Sequence, residues 1–267
     1  MKELFFLIFL VAVANSIAQT KTEIKYDFSC LDSDGSSTVT NVFGDLEKDM
    51  LNNFGLAVSI EEEEKIGEIV FKECEKEFKF IKLGKEIENL KSILKKLAKN
   101  IDKPKGFKYE IFLLDTTMLN AFTVGGKIFF TTEMYRFCKS NDEIAAIIGH
   151  EIYHNELGHI ADQIKREKTA NSFFGEQIGS ISSFLGKILT TPFNQKNEAH
   201  CDLTGTDLIN KAGFKPCSTV VLWNRMKEKE GQYNEIENIF NSHPYSGKRA
   251  VCTSEHLKIN YSIICEE

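Results

Sequence analysis

The stretch GHEIYHNELGH, residues 149–159, holds three of the chain's six histidines. Its core, His150-Glu151-x-x-His154, sets two imidazoles four residues apart with a carboxylate beside the first. On a helix, residues four apart stand one above the other on the same face, so His150 and His154 can offer ring nitrogens to a single ion. Glu151 can then reach a water activated by that ion, take its proton and later deliver it to a leaving amine. The surroundings support a helix. Ser140-Asn141-Asp142-Glu143 forms a capping box just upstream, and Ile144, Ala145, Ile147 and Ile148 supply a core-facing surface that runs directly into His150.

Two ligands do not hold an ion, and the sequence offers two routes to a third. A histidine six residues beyond His154, preceded by glycine at position 157, would complete one known pattern, but the chain has Leu157 and Ile160 there. The other route is a carboxylate from a separate helix, and KNEAHCDLTGTDLINKAG at 196–213 provides Glu198 with Asp202 one turn further on. Glu198 is then the third ligand, and Asp202 orients His150 or His154 from behind.

Composition narrows the remaining choices. With 267 residues, 42% hydrophobic and 27% charged, the chain can bury a sizeable core, which excludes disorder as the main state. A net charge of −6 argues against a nucleic-acid partner, since phosphate binding requires a basic surface. The first eighteen residues, MKELFFLIFLVAVANSIA, have the pattern of a secretory signal peptide, and no later stretch reaches the length of a transmembrane helix. Seven cysteines without a Cys-x-x-Cys pair fit an oxidising compartment rather than a cysteine-built zinc site. Among them Cys217, Cys252 and Cys265 are near enough in sequence to supply one disulfide, and at least one of the seven stays outside any internal pair. His200 and His256 stand alone and read as surface residues.

Along the chain, residues 19–57 form a polar, weakly structured lead-in. Apolar residues at helical spacing from Ile60 to Phe71 and from Ile87 to Ala98 predict two amphipathic helices. YEIFLLD at 109–115 and the stretch after Gly125-Gly126 predict strands. The organisation expected is a signal peptide at 1–18, a lead-in at 19–57, one catalytic domain at 58–252 and a tail at 253–267.

These residues resemble the zinc metallopeptidases that include the CaaX prenyl proteases and the bacterial HtpX-like and BepA-like quality-control enzymes. The resemblance covers roughly 58–250 and rests on ordered blocks: EEEEKIGEIV at 61–70, NAFTVGGKIFFTTEMY at 120–135, GHEIYHNELGH, NEAHCDLTGTDLINKAGFKP at 197–216 and SHPYSGKR at 242–249. It implies a mainly helical α+β fold with a zincin-like core, one Zn2+ per chain on His150, His154 and Glu198, and Glu151 as base. It also implies that the strand around Asn120, Ala121 and Phe122 holds the substrate backbone, and that His243 and Arg249 contact substrate or polarise its carbonyl. Two departures stand out: Phe193-Asn194-Gln195 replaces the family's Ser-Arg ahead of the third-ligand helix, and Cys201 replaces a small residue before Asp202. The function implied is zinc-dependent endopeptidase action on unfolded or extended polypeptides, in the periplasm or outside the cell. The alternatives are a zinc-containing chaperone-like module, or a latent peptidase with a self-inhibitory segment such as the 155–193 connection or His243.

Overall fold

The computed structural model of the chain describes residues 23–34, 57–174, 181–229, 243 and 246–266. The expected signal segment at 1–18 lies outside the described residues. Helix α1 (Ile60–Glu77) starts at Ser59, whose side chain accepts the Glu62 amide, and carries Glu61, Glu62 and Glu63 in its first turn, where they oppose the helix dipole. A short strand β1 (Lys79–Ile81) follows, then α2 (Lys85–Ala98), β2 (Glu110–Asp115), β3 (Ala121–Val124) and β4 (Lys127–Thr131). A single turn α3 (Thr132–Phe137) leads to the long α4 (Asn141–Glu156) and α5 (His159–Phe174). The remaining described elements are α6 (Ile181–Thr190), α7 (Gln195–Lys211), α8 (Cys217–Lys227) and α9 (Ser246–Tyr261). The class is α+β, mainly helical, as the sequence indicates.

The four strands lie in the order β1-β2-β4-β3, with β2 and β4 parallel and the two outer pairs antiparallel. Alternation decides which layer each face meets. Ile111 and Leu113 of β2 and Ile128 and Phe130 of β4 pack into one core with α2, α4 and α8, while Leu114, Phe122 and Phe129 enter a second core with α1, α5 and α6. A two-residue turn at Gly125-Gly126, with φ of 55° and 80°, joins β3 to β4. A Cβ on Gly125 would stand 2.1 Å from the Glu63 carbonyl oxygen, so only glycine lets α1 press on this turn.

Helix α4 is buried nearly all round, from Glu143 and Ile144 to His154 and Asn155. Ser140 caps it as expected, accepting the Glu143 amide at 3.2 Å. The returning half of the capping box differs: Glu143 accepts the Lys139 amide at 2.7 Å and is held by Arg225, so its carboxylate ties α4 to α8 as well as to its own start. The closest approach in the molecule that matters for chemistry is α4 against α7. A Cβ on Gly205 would meet the Gly149 carbonyl carbon and the His150 nitrogen, each at 3.0 Å, and one on Gly149 would meet the Gly205 oxygen at 3.2 Å.

Several features differ from the sequence reading. Within the lead-in, residues 23–31 are tied down: Tyr26 donates to Asp207 at 2.8 Å, Leu31 is buried, and Cys30 is bonded to Cys252 of α9. A second disulfide joins Cys217 to Cys265, as the sequence allowed for two of its last three cysteines, and Cys74, Cys138 and Cys201 are buried thiols. Helix α9 runs straight through the boundary expected at 252/253. His256 is buried rather than at the surface, because its Nε2 meets the Asp207 carboxylate at 2.7 Å. Among the described residues no helix is long and apolar enough to cross a membrane.

Replacing Gly205 by alanine is expected to force α4 and α7 apart, lowering unfolding free energy by about 1–3 kcal/mol, the usual cost of overpacking, and weakening metal uptake. Gly186→Ala, where an added Cβ meets nothing within 4 Å, should be neutral or slightly stabilising. Urea unfolding and metal competition on the two variants check both statements.

Candidate metal centre

The contact between α4 and α7 puts His150 and His154 opposite Glu198, which sits in the first turn of α7 where the dipole favours a carboxylate. Their binding atoms converge: His150 Nε2 and His154 Nε2 are 2.9 Å apart, His154 Nε2 lies 3.4 Å from Glu198 Oε1, and His150 Nε2 lies 3.5 Å from Glu198 Oε2. Ligand atoms each 2.0–2.1 Å from one tetrahedral ion stand about 3.3 Å apart, so this cluster has the dimensions of a metal site. All three side chains are buried.

His243 completes a fourth corner. Its Nδ1 is 3.2 Å from His150 Nε2 and 3.1 Å from Glu198 Oε2. His150, His154, Glu198 and His243 thus form one candidate metal-holding group. The sequence reading had His243 contacting substrate or plugging the cleft; it stands among the candidate ligands, with its other nitrogen, Nε2, 3.7 Å from Glu151 Oε1.

The groups behind the ligands fix which nitrogen each histidine presents. His150 Nδ1–H donates to Asp202 Oδ1 at 2.9 Å, which frees Nε2 for the ion. Asp202 therefore orients His150, not His154. His154 finds its orienting partner in His159, whose Nδ1 is 3.3 Å from His154 Nδ1. That role for the trailing histidine was not anticipated. Cys201 lies 3.3 Å from the same His159 nitrogen; burial and then Glu198 and Asp202 push its thiol well above the usual range, so it stays a protonated, buried thiol.

Arg249 is buried and fully engaged. Its guanidinium donates to Asp202 Oδ2 at 2.6 Å, to Asp202 Oδ1 at 2.8 Å and to the His243 carbonyl at 3.1 Å, and it pairs with Glu198 Oε2 at 2.9 Å. The ring of Trp223 lies beneath it at 3.6 Å. Arg249 braces the third ligand and the orienting carboxylate, and it is a positioning residue in this arrangement. Burial by itself would raise Glu198 and Asp202, but His243 and Arg249 hold Glu198 well below the ordinary carboxylate range, and Arg249 with His150 keeps Asp202 low. Burial lowers His150, and lowers His154 to about 3, leaving both as the neutral imidazoles that ligate metals. Burial also raises Glu151 to about 8, with His243 pulling the other way.

Ala121 and Phe122 open the outer strand β3, and Asn120 immediately precedes it. Asn120 is buried, its N–H donating to the Thr131 hydroxyl and its C=O accepting from that hydroxyl, while Phe122 stacks on Phe129 at 4.7 Å. The narrow space beside Glu151 and His154 is filled by Phe122, Ile160, Ile188, Phe193 and His243. Phe193, at a position where the family was expected to carry serine and arginine, tilts over the His154 ring at 4.1 Å. Asn155, also unforeseen, donates to Thr123 Oγ1 at 2.8 Å and accepts the Gly126 amide at 3.1 Å, locking α4 to the β3–β4 turn.

A family model described as peptidase family M48 matches residues 85–255, well over half of the chain and every candidate ligand. The chain belongs to peptidase family M48. Its relatives carry peptidase names. It is 31% identical over 150 residues to the mitochondrial metalloendopeptidase OMA1 of Schizosaccharomyces pombe, covering 53% of this chain and 44% of that one. It is 30% identical over 123 residues to the metalloprotease LoiP of Escherichia coli, covering 42% and 48%. Against the beta-barrel assembly-enhancing protease of Escherichia coli it is 22% identical over 159 residues, covering 53% and 33%. The M48 chain thus spans less than half the length of these curated relatives.

Arg249→Leu is expected to cost about 3–5 kcal/mol, because it strands two buried carboxylates. Arg249→Lys, which keeps the charge and loses the planar fork, should fall between that variant and the wild type. Denaturant unfolding at neutral pH measures both.

Proposed function

We propose that the chain is a zinc-dependent endopeptidase that hydrolyses peptide bonds of unfolded or extended polypeptides, built on a zincin-like core. The observation that carries this reading is the convergence of His150, His154 and Glu198 with Glu151 on the same helix turn. Two or three imidazoles and one carboxylate suit zinc among the first-row ions. A zinc ion held there supplies a Lewis acid that activates water and polarises a carbonyl.

The chain's own residues do the rest. Glu151 in its carboxylate form would accept a proton from the attacking water and return it to the leaving amine, burial having strengthened its hold on that proton. Asp202 and His159 hold the two imidazoles in the tautomers that present Nε2. Phe122 and the backbone of β3 line the side on which an extended substrate would lie. Acting on the backbone through a strand edge reads shape more than side chains, which suits unfolded substrates and a quality-control role.

A second reading has its own support. Structural zinc sites are closed by four protein ligands, whereas catalytic ones keep a position for water. His243 stands beside the three candidate ligands and Phe193 lies over the His154 ring, which supports a latent peptidase whose self-inhibitory group is His243 or part of the 155–193 connection. The two disulfides favour an oxidising compartment, secreted or periplasmic.

The experiment combines metal content with casein cleavage. Wild type and Glu151→Gln should each bind about one zinc, as a single such site requires, and the glutamine variant should lose about 10²–10⁴-fold in rate, the usual share of a general base. His243→Ala should cleave faster than wild type if the closed form is self-inhibited, and no faster if it is not. Equal cleavage by Glu151→Gln and wild type would refute the mechanism.

A further inference from the structure

On the sheet edge away from the metal centre, strand β1 covers only half of its neighbour. It pairs with β2 from Lys79↔Asp115 to Ile81↔Leu113, and the chain then turns through Lys82–Gly84 into α2. Residues Glu110–Phe112 of β2 have β4 on one side and no strand on the other among the described residues. The Glu110 amide donates to the Gly126 carbonyl on the β4 side, so strand alternation turns the Ile111 N–H and C=O to the open edge.

A groove of about 800 Å³ follows this edge, within the usual range of roughly 300–1,000 Å³ for ligand sites. One wall is aromatic: Phe71 lies 4.7 Å from Phe112 and 5.4 Å from Phe80, and all three are partly exposed. The other wall is α2 with its C-cap, which present Lys91, Lys95 and, at the cap, Lys99 at four-residue steps above Ile87 and Leu94. Lys82 at the mouth is paired with Glu75 at 3.3 Å, and Glu110 with Lys127 at 2.7 Å. Lys91, Lys95 and Lys99 have no ion pair among the described residues.

We propose that this groove docks an extended polypeptide segment with alternating acidic and apolar side chains, added as a strand along Glu110–Phe112. Side chains of an added strand point alternately to its two faces. One set meets the α2 lysines and the other the Phe71–Phe80–Phe112 wall, while the backbone answers Ile111. An anionic lipid would satisfy the lysines and the aromatic wall, but it has no backbone to pair with the strand. The groove lies across the sheet from β3, so the proposal rests on no step of the peptidase reading.

The test uses the full-length Glu151→Gln chain, which does not cut the probe, and a fluorescein-labelled peptide of alternating glutamate and valine, about six residues long to match a typical strand. Fluorescence anisotropy should show saturable binding that survives EDTA. Binding should weaken at least about tenfold, the size of 1.4 kcal/mol, in the Lys91→Glu/Lys95→Glu/Lys99→Glu variant, whose changes are all on exposed positions, and with a probe N-methylated on alternate amides. Zinc content of the triple variant, equal to that of the parent, certifies its fold. The proposal is overturned if the probe does not bind, which would leave the lysines as guards against edge-to-edge pairing. It is also overturned if the charge reversal or N-methylation changes nothing, if EDTA abolishes binding, or if phosphatidylglycerol vesicles bind and displace the peptide.

Discussion

Two helices meet backbone to backbone at Gly149 and Gly205, and the site exists because they can. Side chains at a helix contact ordinarily keep axes about 8–10 Å apart; a glycine on each side removes that spacer. Gly149 directly precedes His150, and Gly205 follows Asp202 by one turn and Glu198 by two. The close approach therefore brings short carboxylates of α7 within reach of imidazoles on α4. It also buries them, which creates a demand for compensating charge that Arg249 meets, and Trp223 in turn fills the space under the guanidinium.

The parts of this arrangement that are local in sequence could be read there. His150, Glu151 and His154 are fixed by helical spacing, Ser140 and Glu143 mark the helix start, and Glu198 with Asp202 shares one face of another helix. The parts that depend on remote partners could not. Whether Asp202 serves His150 or His154 is settled only by the crossing of α4 and α7, and the burial of His256 only by Asp207, 49 residues earlier. Asn155 near the end of α4 and His159 at the start of α5 carry a faint signal, as polar residues beside a buried helix, but their partners lie on other elements. β1 is three residues long and exists because β2 offers an edge. The pairing of Cys30 with Cys252 spans 222 residues and leaves no mark in spacing.

The sheet has two ends with opposite characters. At β3 every residue is buried and the adjoining space is filled by Phe193, Ile188 and His243, so the chemistry stands behind its own side chains. At β2 half an edge is open between an aromatic wall and a basic stripe. On the two proposals together, a non-catalytic contact at β2 would hold a polypeptide whose cleavage takes place beside β3.

Zinc K-edge X-ray absorption on the purified chain would decide whether the α4–α7 contact makes the metal centre described. One zinc per chain with nitrogen and oxygen neighbours only, at about 2.0–2.1 Å and with the outer-shell pattern of imidazole, is the expected result. A sulfur neighbour at about 2.3 Å would draw Cys201 into the ligand set and contradict it, and a chain that takes up no zinc would contradict it outright.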